Sequence, residues 1–246
     1  MRVPRIFSDQ EYSVGQSLHL DAFASGHICR VLRMKEGRPL ILFNGRGGEY
    51  LAVLVKADAK QALVEVQKFD SIERESPLNI YLGLALSRGD RFDWAIQKSV
   101  ELGVAQITPL LCERSDRLAD PKRLTRKLEH WNKLVQSACE QSGRTKIPKV
   151  WEPASCAEWS TENNDVQGYI LAPDGPGIGD QLGQVENGTA VRIAIGPEGG
   201  FTETEERLFS ETNGFNSVSL GPRVMRTETA PVAAITLFQY FLGDLN

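Results

Sequence analysis

Histidine is scarce in this chain, with only His19, His27 and His130 among 246 residues. Its four cysteines, Cys29, Cys112, Cys139 and Cys156, are scattered and never fall into a C-x-x-C spacing. A structural zinc site needs clustered ligands of these types, so no metal is expected, and the cysteines read as reduced, buried small hydrophobes. No apolar run is long enough to cross a bilayer, and MRVPRIFSDQ (1–10) lacks the apolar core of a signal peptide. A cytoplasmic protein without membrane contact is expected. No G-K-[ST] follows any glycine cluster, which excludes a P-loop nucleoside triphosphatase. Internal repeats and low-complexity tracts are also missing.

What is present is ordinary globular composition, 41% hydrophobic and 24% charged, with length for one large domain or two modest ones. The net charge of −4 is unevenly distributed. Residues 114–149 hold ten Lys/Arg against four Asp/Glu, a net +6, whereas residues 152–211 hold twelve Asp/Glu against Arg192 and Arg207, a net −10. A basic stretch on an acidic protein fits either a polyanion-binding face or a solvated helix.

The first seventy residues read as β. ICRVLRM (28–34) and PLILF (39–43) are short and rich in branched apolar residues; NGRGG (44–48) is a turn, and EYLAVLV (49–55) completes a hairpin. QALVEVQKF (61–69) alternates at period two. These features suggest a small barrel, closed by the polar linker DSIERESP (70–77). The rhythm then changes. NIYLGLAL (79–86) is a strand, and RFDWAIQKSVELG (91–103) places Phe92, Ala95, Ile96, Ser99 and Val100 on one helical face, with Gly103 as its stop. VAQITPLL (104–111) is another strand. Asp120-Pro121 opens a helix that turns Leu124, Leu128, Trp131, Leu134 and Val135 inward. GYILAP (168–173) and VRIAIGP (191–197) are buried strands, so an α/β domain with a mostly parallel sheet is expected.

Three apolar strands run into turns that suit a ligand: LAPDG (171–175), IGPEGGF (195–201) and LGPRVMR (220–226). Ligands of open α/β sheets sit beyond the carboxyl ends of strands. Glycine there permits close backbone approach and proline stiffens the loop. The run PDGPGIGD (173–180) misses the G-x-G-x-x-G spacing, and no strand-turn-helix context is expected for it. Thr202 to Glu205 is a capping box, so a helix starts directly after GPEGGF. Glu198 stands in that turn with no apolar reason to be there. Arg223 and Arg226 flank Val224-Met225 in the last turn, and PVAAITLFQYFLG (231–243) is a helix apolar nearly all round, buried in a core or a subunit interface.

IGPEGGFT and LGPRVMRTETA, in this order, resemble the signature of the SPOUT-class RNA methyltransferases. More closely, they are similar to the bacterial 16S ribosomal RNA uridine-N3 methyltransferase family, RsmE. The likeness extends to MRVPRIF, VLRM, RESPL, SRGDRFDWAIQKSVELGV, ITPL and ACEQSGR, and so covers the whole chain. The resemblance implies a PUA-like β-barrel RNA-binding domain over 1–72. It further implies an α/β SPOUT methyltransferase domain with a deep trefoil knot over 73–246, acting as a homodimer with S-adenosyl-L-methionine on 16S ribosomal RNA of the small subunit. For the donor it implies Leu171, Ala172, Pro173, Gly196, Pro197, Gly200, Leu220, Gly221, Val224, Met225 and Thr229. For catalysis the candidates are Arg226 and Arg223, for charge stabilisation or phosphate positioning, and Glu198, as base or as a buttress of the knot. For RNA it suggests Arg2, Arg5, Arg30, Arg33, Arg88, Lys122, Arg123, Arg126, Glu140, Gln141, Arg144 and Arg223. The same donor pocket would suit a methyltransferase of another RNA, and a non-catalytic RNA-binding module could share the fold; the whole-chain likeness favours the ribosomal substrate.

Overall fold

The alternating segments of the N-terminal region pair as their periodicity predicts. A computed structural model of the chain describes all residues except 1–2, 88, 116–120, 163–164 and 184–189. One compact unit comprises Met1–Glu75 with Gln136–Ile147, and a second comprises Ser76–Val135 with Pro148–Asn246.

In the first unit, β1 (Arg5–Phe7), β2 (Ser17–His19), α1 (Ala22–Gly26), β3 (Pro39–Phe43), β4 (Glu49–Lys56) and β5 (Leu63–Asp70) follow in order. The strands form a sheet in the order β1-β3-β4-β5-β2, antiparallel except for the β1–β3 pair. NGRGG makes the β3–β4 turn. Alternation buries Val64 and Val66 of β5 against Ile6, Leu40, Leu42 and Leu54. Each such side chain contributes about 1.5–3 kcal/mol of burial.

ICRVLRM is not a strand. Asp21 caps α1 by accepting the Phe23 and Ala24 amides, and the chain then continues as a π-helical turn over His27–Val31. Ala24, Ser25 and Ile28 are buried while Val31 and Leu32 are exposed. That is helical spacing, and the cap and one buried anchor outweigh the β-branched residues.

Gln136–Ile147 joins the first unit through a polar network. Glu75 accepts Arg144 Nε at 2.9 Å and the amides of Thr145 and Lys146 at 3.0 and 3.1 Å. Arg5 Nη2 donates to the Arg144 carbonyl at 2.8 Å, Arg74 Nη1 donates to that of Gly143 at 3.0 Å, and Glu140 accepts the Phe7 amide at 2.9 Å.

The second unit runs β6 (Asn79–Ala85), α2 (Asp90–Glu101), β7 (Gln106–Leu111), α3 (Pro121–Ser142), β8 (Lys149–Val150), β9 (Ala154–Ser155), α4 (Cys156–Thr161), β10 (Gln167–Leu171), α5 (Ile178–Leu182), β11 (Ala190–Ile195), α6 (Glu203–Arg207), β12 (Asn216–Val218) and α7 (Thr229–Leu242). The last turns of α3 fall in the first unit. The sheet order is β12-β10-β11-β6-β7-β8, with β9 also on β7, and every pair is parallel. Parallel strands covered on both faces need continuous apolar runs, which is why β6 and β11 are almost wholly buried. α2 buries the five residues that its pattern predicts, and Gly103 follows it at φ 89°. α3 buries Trp131 and Val135, with Trp131 against Phe92; Asp120 lies outside the described residues. The PDGPGIGD run, contrary to the pattern reading, does connect a strand to a helix, the short α5. Among the described residues, no helix is long and apolar enough to cross a membrane.

Candidate functional site

The sheet order sets β10, β11 and β12 side by side, so their three carboxyl-end loops leave one edge together. The loop after β10 is stitched to β12. Ala172 N–H donates to Val218 O at 3.0 Å, Ser219 N–H to Pro176 O at 2.8 Å and Ile178 N–H to Ser219 O at 3.1 Å. Ser219 Oγ donates to Pro173 O at 3.0 Å and accepts Gly221 N–H at 3.2 Å.

The loop after β11 folds on itself. Gly200, at φ 69°, closes a turn by donating to Pro197 O at 2.8 Å. Gly196 lies so close to Phe201 that a Cβ there would stand 3.0 Å from the ring and 3.1 Å from the backbone nitrogen. Thr202 and Glu205 form the expected capping box at the head of α6. Glu205 also accepts the Glu113 amide at 2.9 Å, and Arg114 Nη1 donates to Gly199 O at 2.7 Å. The GPEGG turn is thereby held from outside as well as by its own hydrogen bonds.

Between these loops lies a cavity of about 430 Å³. That is within the range of roughly 300–1,000 Å³ usual for small-molecule pockets. Leu171, Ala172, Pro173, Gly196, Pro197, Gly200, Leu220, Gly221, Val224 and Met225 line it, as do Glu198 and Arg223. Two expected residues do not. Thr229 starts α7 on the exposed side, donating its amide to Arg226 O at 2.8 Å, and Arg226 is exposed beside the cavity without lining it. The sequence reading missed Asp174, Glu206 and Thr227, which also line the cavity. Thr227 is buried and its Oγ1 has no hydrogen-bond partner among the described residues. A buried hydroxyl without a partner points to a ligand that supplies one.

The residues expected to bind RNA fall into three groups. Arg30, Arg33, Lys122, Arg123, Arg126, Gln141 and Arg223 are exposed. Arg2 and Arg88 lie outside the described residues. Arg5, Arg144 and Glu140 require correction. Arg5 is ion-paired with Glu49 and stacks over Phe43 at 4.8 Å, and Arg144 is ion-paired with Glu75. Their side chains are only 7% and 8% exposed, so neither guanidinium is presented to a phosphate. Glu140 is likewise turned inward to Phe7 and His27.

All four cysteines are free, as expected, and three are buried. Cys112 and Cys156 approach to 3.6 Å, and their hydrogen bond together with burial pushes the Cys112 thiol up.

These features define the class. Residues 74–239 match the model of the RNA methyltransferase domain family, and residues 24–67 match that of the RNA methyltransferase PUA domain. The first unit is therefore PUA-like. Along its full length, the chain is 34% identical to ribosomal RNA small subunit methyltransferase E of Buchnera aphidicola from Schizaphis graminum, covering 99% of that protein. It is 31% identical over 221 residues to the Bacillus subtilis protein of the same name, covering 86% of it. The chain belongs to the ribosomal RNA small subunit methyltransferase E family. Two solved structures share its whole length. One is the Neisseria gonorrhoeae member bound to S-adenosyl methionine, at 37% identity and TM-score 0.91. The other is a Legionella pneumophila methyltransferase in complex with the cofactor SAM, at 40% identity and TM-score 0.94. Each covers 100% of both chains.

Proposed function

We propose that this protein transfers a methyl group from S-adenosyl-L-methionine to N3 of a decoding-region uridine in 16S ribosomal RNA of the small subunit. The observation that carries the reading is the cavity formed by the three strand-end loops, in a chain alike over its full length to relatives solved with that donor. The cavity suits the donor chemically. Its aliphatic and glycine-proline walls offer backbone amides and carbonyls, Thr227 Oγ1 offers an unused hydrogen bond, and Asp174, Glu198 and Glu206 outnumber Arg223. The donor carries a sulfonium and an ammonium against one carboxylate, so a net negative pocket matches it.

The donor supplies an electrophilic methyl group on sulfur. Glu198, at the cavity wall, accepts the N3 proton as the nitrogen is methylated. Arg223 and Arg226 neutralise the charge that spreads onto the uracil oxygens. The uridine must leave its stack to reach the wall. Exposed Arg30 and Arg33 in the PUA-like unit and Lys122, Arg123 and Arg126 on α3 contact phosphates and so position rather than specify.

The reading extends to the chain's organisation, with an RNA-binding domain over 1–72 and a SPOUT domain over 73–246. A trefoil knot that involves the loops 171–178 and 216–221, which hydrogen-bond to one another, is part of this reading. Val224, 89% exposed, and Tyr240 on α7, 52% exposed, support a homodimer face. A cytoplasmic, metal-free enzyme fits the substrate. Calorimetry with S-adenosylmethionine tests the core of the proposal: saturable binding is expected, and no binding at millimolar donor would sink it.

A further inference from the structure

We infer that a second cavity, which shares Glu198 with the first, binds a phosphodiester of the RNA strand that carries the methylated nucleotide. The inference rests on the methyltransferase reading above. This cavity, of about 510 Å³, is lined by Ser87, Gly89, Arg91, Arg114, Ser115 and Glu198. Glu198 lines the donor cavity too, so a group bound here borders the donor.

Several independent features point to an anion. Ser87 is 4% exposed, lines the cavity, and its Oγ has no hydrogen-bond partner among the described residues. Leaving a buried hydroxyl unpaired costs about 1–3 kcal/mol, so an acceptor arriving here is favoured. Gly89, which lines the cavity, stands at the head of the twelve-residue α2 with no side-chain cap, so first-turn amides are left without a side-chain acceptor, although Asp90 and Asp93 in that turn offset the positive helix end. Arg91 and Arg114 bring two guanidiniums against the single carboxylate of Glu198, for one net positive charge. Arg114 is fixed in place through Gly199 O at 2.7 Å and Phe201 O at 3.3 Å, while Arg91 is ion-paired with Glu198. Held guanidinium forks suit phosphate oxygens better than a mobile ammonium does.

The lining also argues against a base. Among the described residues it includes no aromatic ring for stacking and no Asn or Gln to read a base edge. The base is left to the shared wall at Glu198, and the phosphate to the two arginines.

The test is steady-state methyl transfer to 16S ribosomal RNA at saturating donor, with donor affinity measured in parallel, for wild type, Arg91→Ala, Arg91→Lys and Ser87→Ala. In Arg91→Ala the KM for RNA should rise about tenfold, as the loss of one charged phosphate contact implies, and the slope of log KM against log salt should fall by about 0.7–1. Arg91→Lys, which keeps the charge, should restore the salt slope, and Ser87→Ala should raise KM with the slope unchanged. An unaltered KM and slope in both Arg91→Ala and Ser87→Ala would overturn the inference. So would a loss confined to kcat, which would make Arg91 a positioning residue for Glu198. A wild-type protein that binds donor but methylates no RNA refutes the proposed function instead.

Discussion

Arg91 is ion-paired with Glu198, which lines both cavities, and each side chain is 49% exposed. A pair so open to water contributes at most about 1 kcal/mol to stability, so removing it leaves the fold intact. Glu198→Gln should therefore isolate chemistry from folding. If Glu198 takes the N3 proton, kcat at saturating donor falls by roughly 10²–10⁴, a loss far larger than any weakening of donor binding from the missing charge. Full turnover in the variant would remove it as the base.

Arg226 stands outside the cavity of the three strand-end loops, exposed, with its carbonyl receiving the first amides of α7. Arg226→Ala should abolish methyl transfer while calorimetry still shows near-normal donor binding. Wild-type turnover would exclude this arginine from the mechanism.

Gly196 has no room for a side chain, because a Cβ would press on Phe201 at 3.0 Å. Gly196→Ala should destabilise the protein by about 1–3 kcal/mol, the usual cost of overpacking. By moving the GPEGG turn it should also weaken donor binding about tenfold or more, since turn geometry sets the pocket wall. A variant with unchanged donor affinity would separate that turn from the donor.

Much of this frame is legible in the chain itself. The buried face of α2, the Thr202 capping box and the β3–β4 turn follow from spacing and turn chemistry, which are local. The three strand-end loops are legible because glycine and proline mark them, and parallel strands send such ends to one edge. What escapes is long-range. Nothing near Arg144 in sequence discloses that Glu75 will hold it, so a buried structural arginine reads like an RNA contact. The partners Glu49 and Glu75 of Arg5 and Arg144 are 44 and 69 residues away. The π-helical turn at His27–Val31 escapes because its composition favours a strand while Asp21, seven residues before Ile28, starts a helix. Thr227 escapes because its unpaired hydroxyl is a property of the folded cavity alone.

Lys122, Arg123 and Arg126 are exposed on α3, and Lys127 Nζ lies 5.6 Å from the Trp131 ring centre. Changing all four to Ala should weaken binding to 16S ribosomal RNA and flatten its salt dependence, because each lost phosphate contact lowers the slope by about 0.7–1. An unchanged slope would mean that this helix face is only solvated.

Glu140 supplies a pH dependence. Burial raises its pKa, against the opposing effects of the Phe7 amide, His27 and Arg5. A group whose folded pKa is raised contributes stability that is present below its unfolded pKa and lost as pH rises through the folded value. Glu140→Gln keeps an oxygen for the Phe7 amide but carries no charge. Its melting temperature should gain on wild type as pH rises above the ordinary carboxylate range. Parallel pH profiles would contradict this.

The most direct test is mass-spectrometric mapping of methylated nucleosides. 16S ribosomal RNA from cells lacking the gene would be incubated with purified protein and S-adenosylmethionine. The account predicts that 3-methyluridine, absent beforehand, appears at one decoding-region uridine. No methylation, or methylation at another atom or in another RNA, would contradict it.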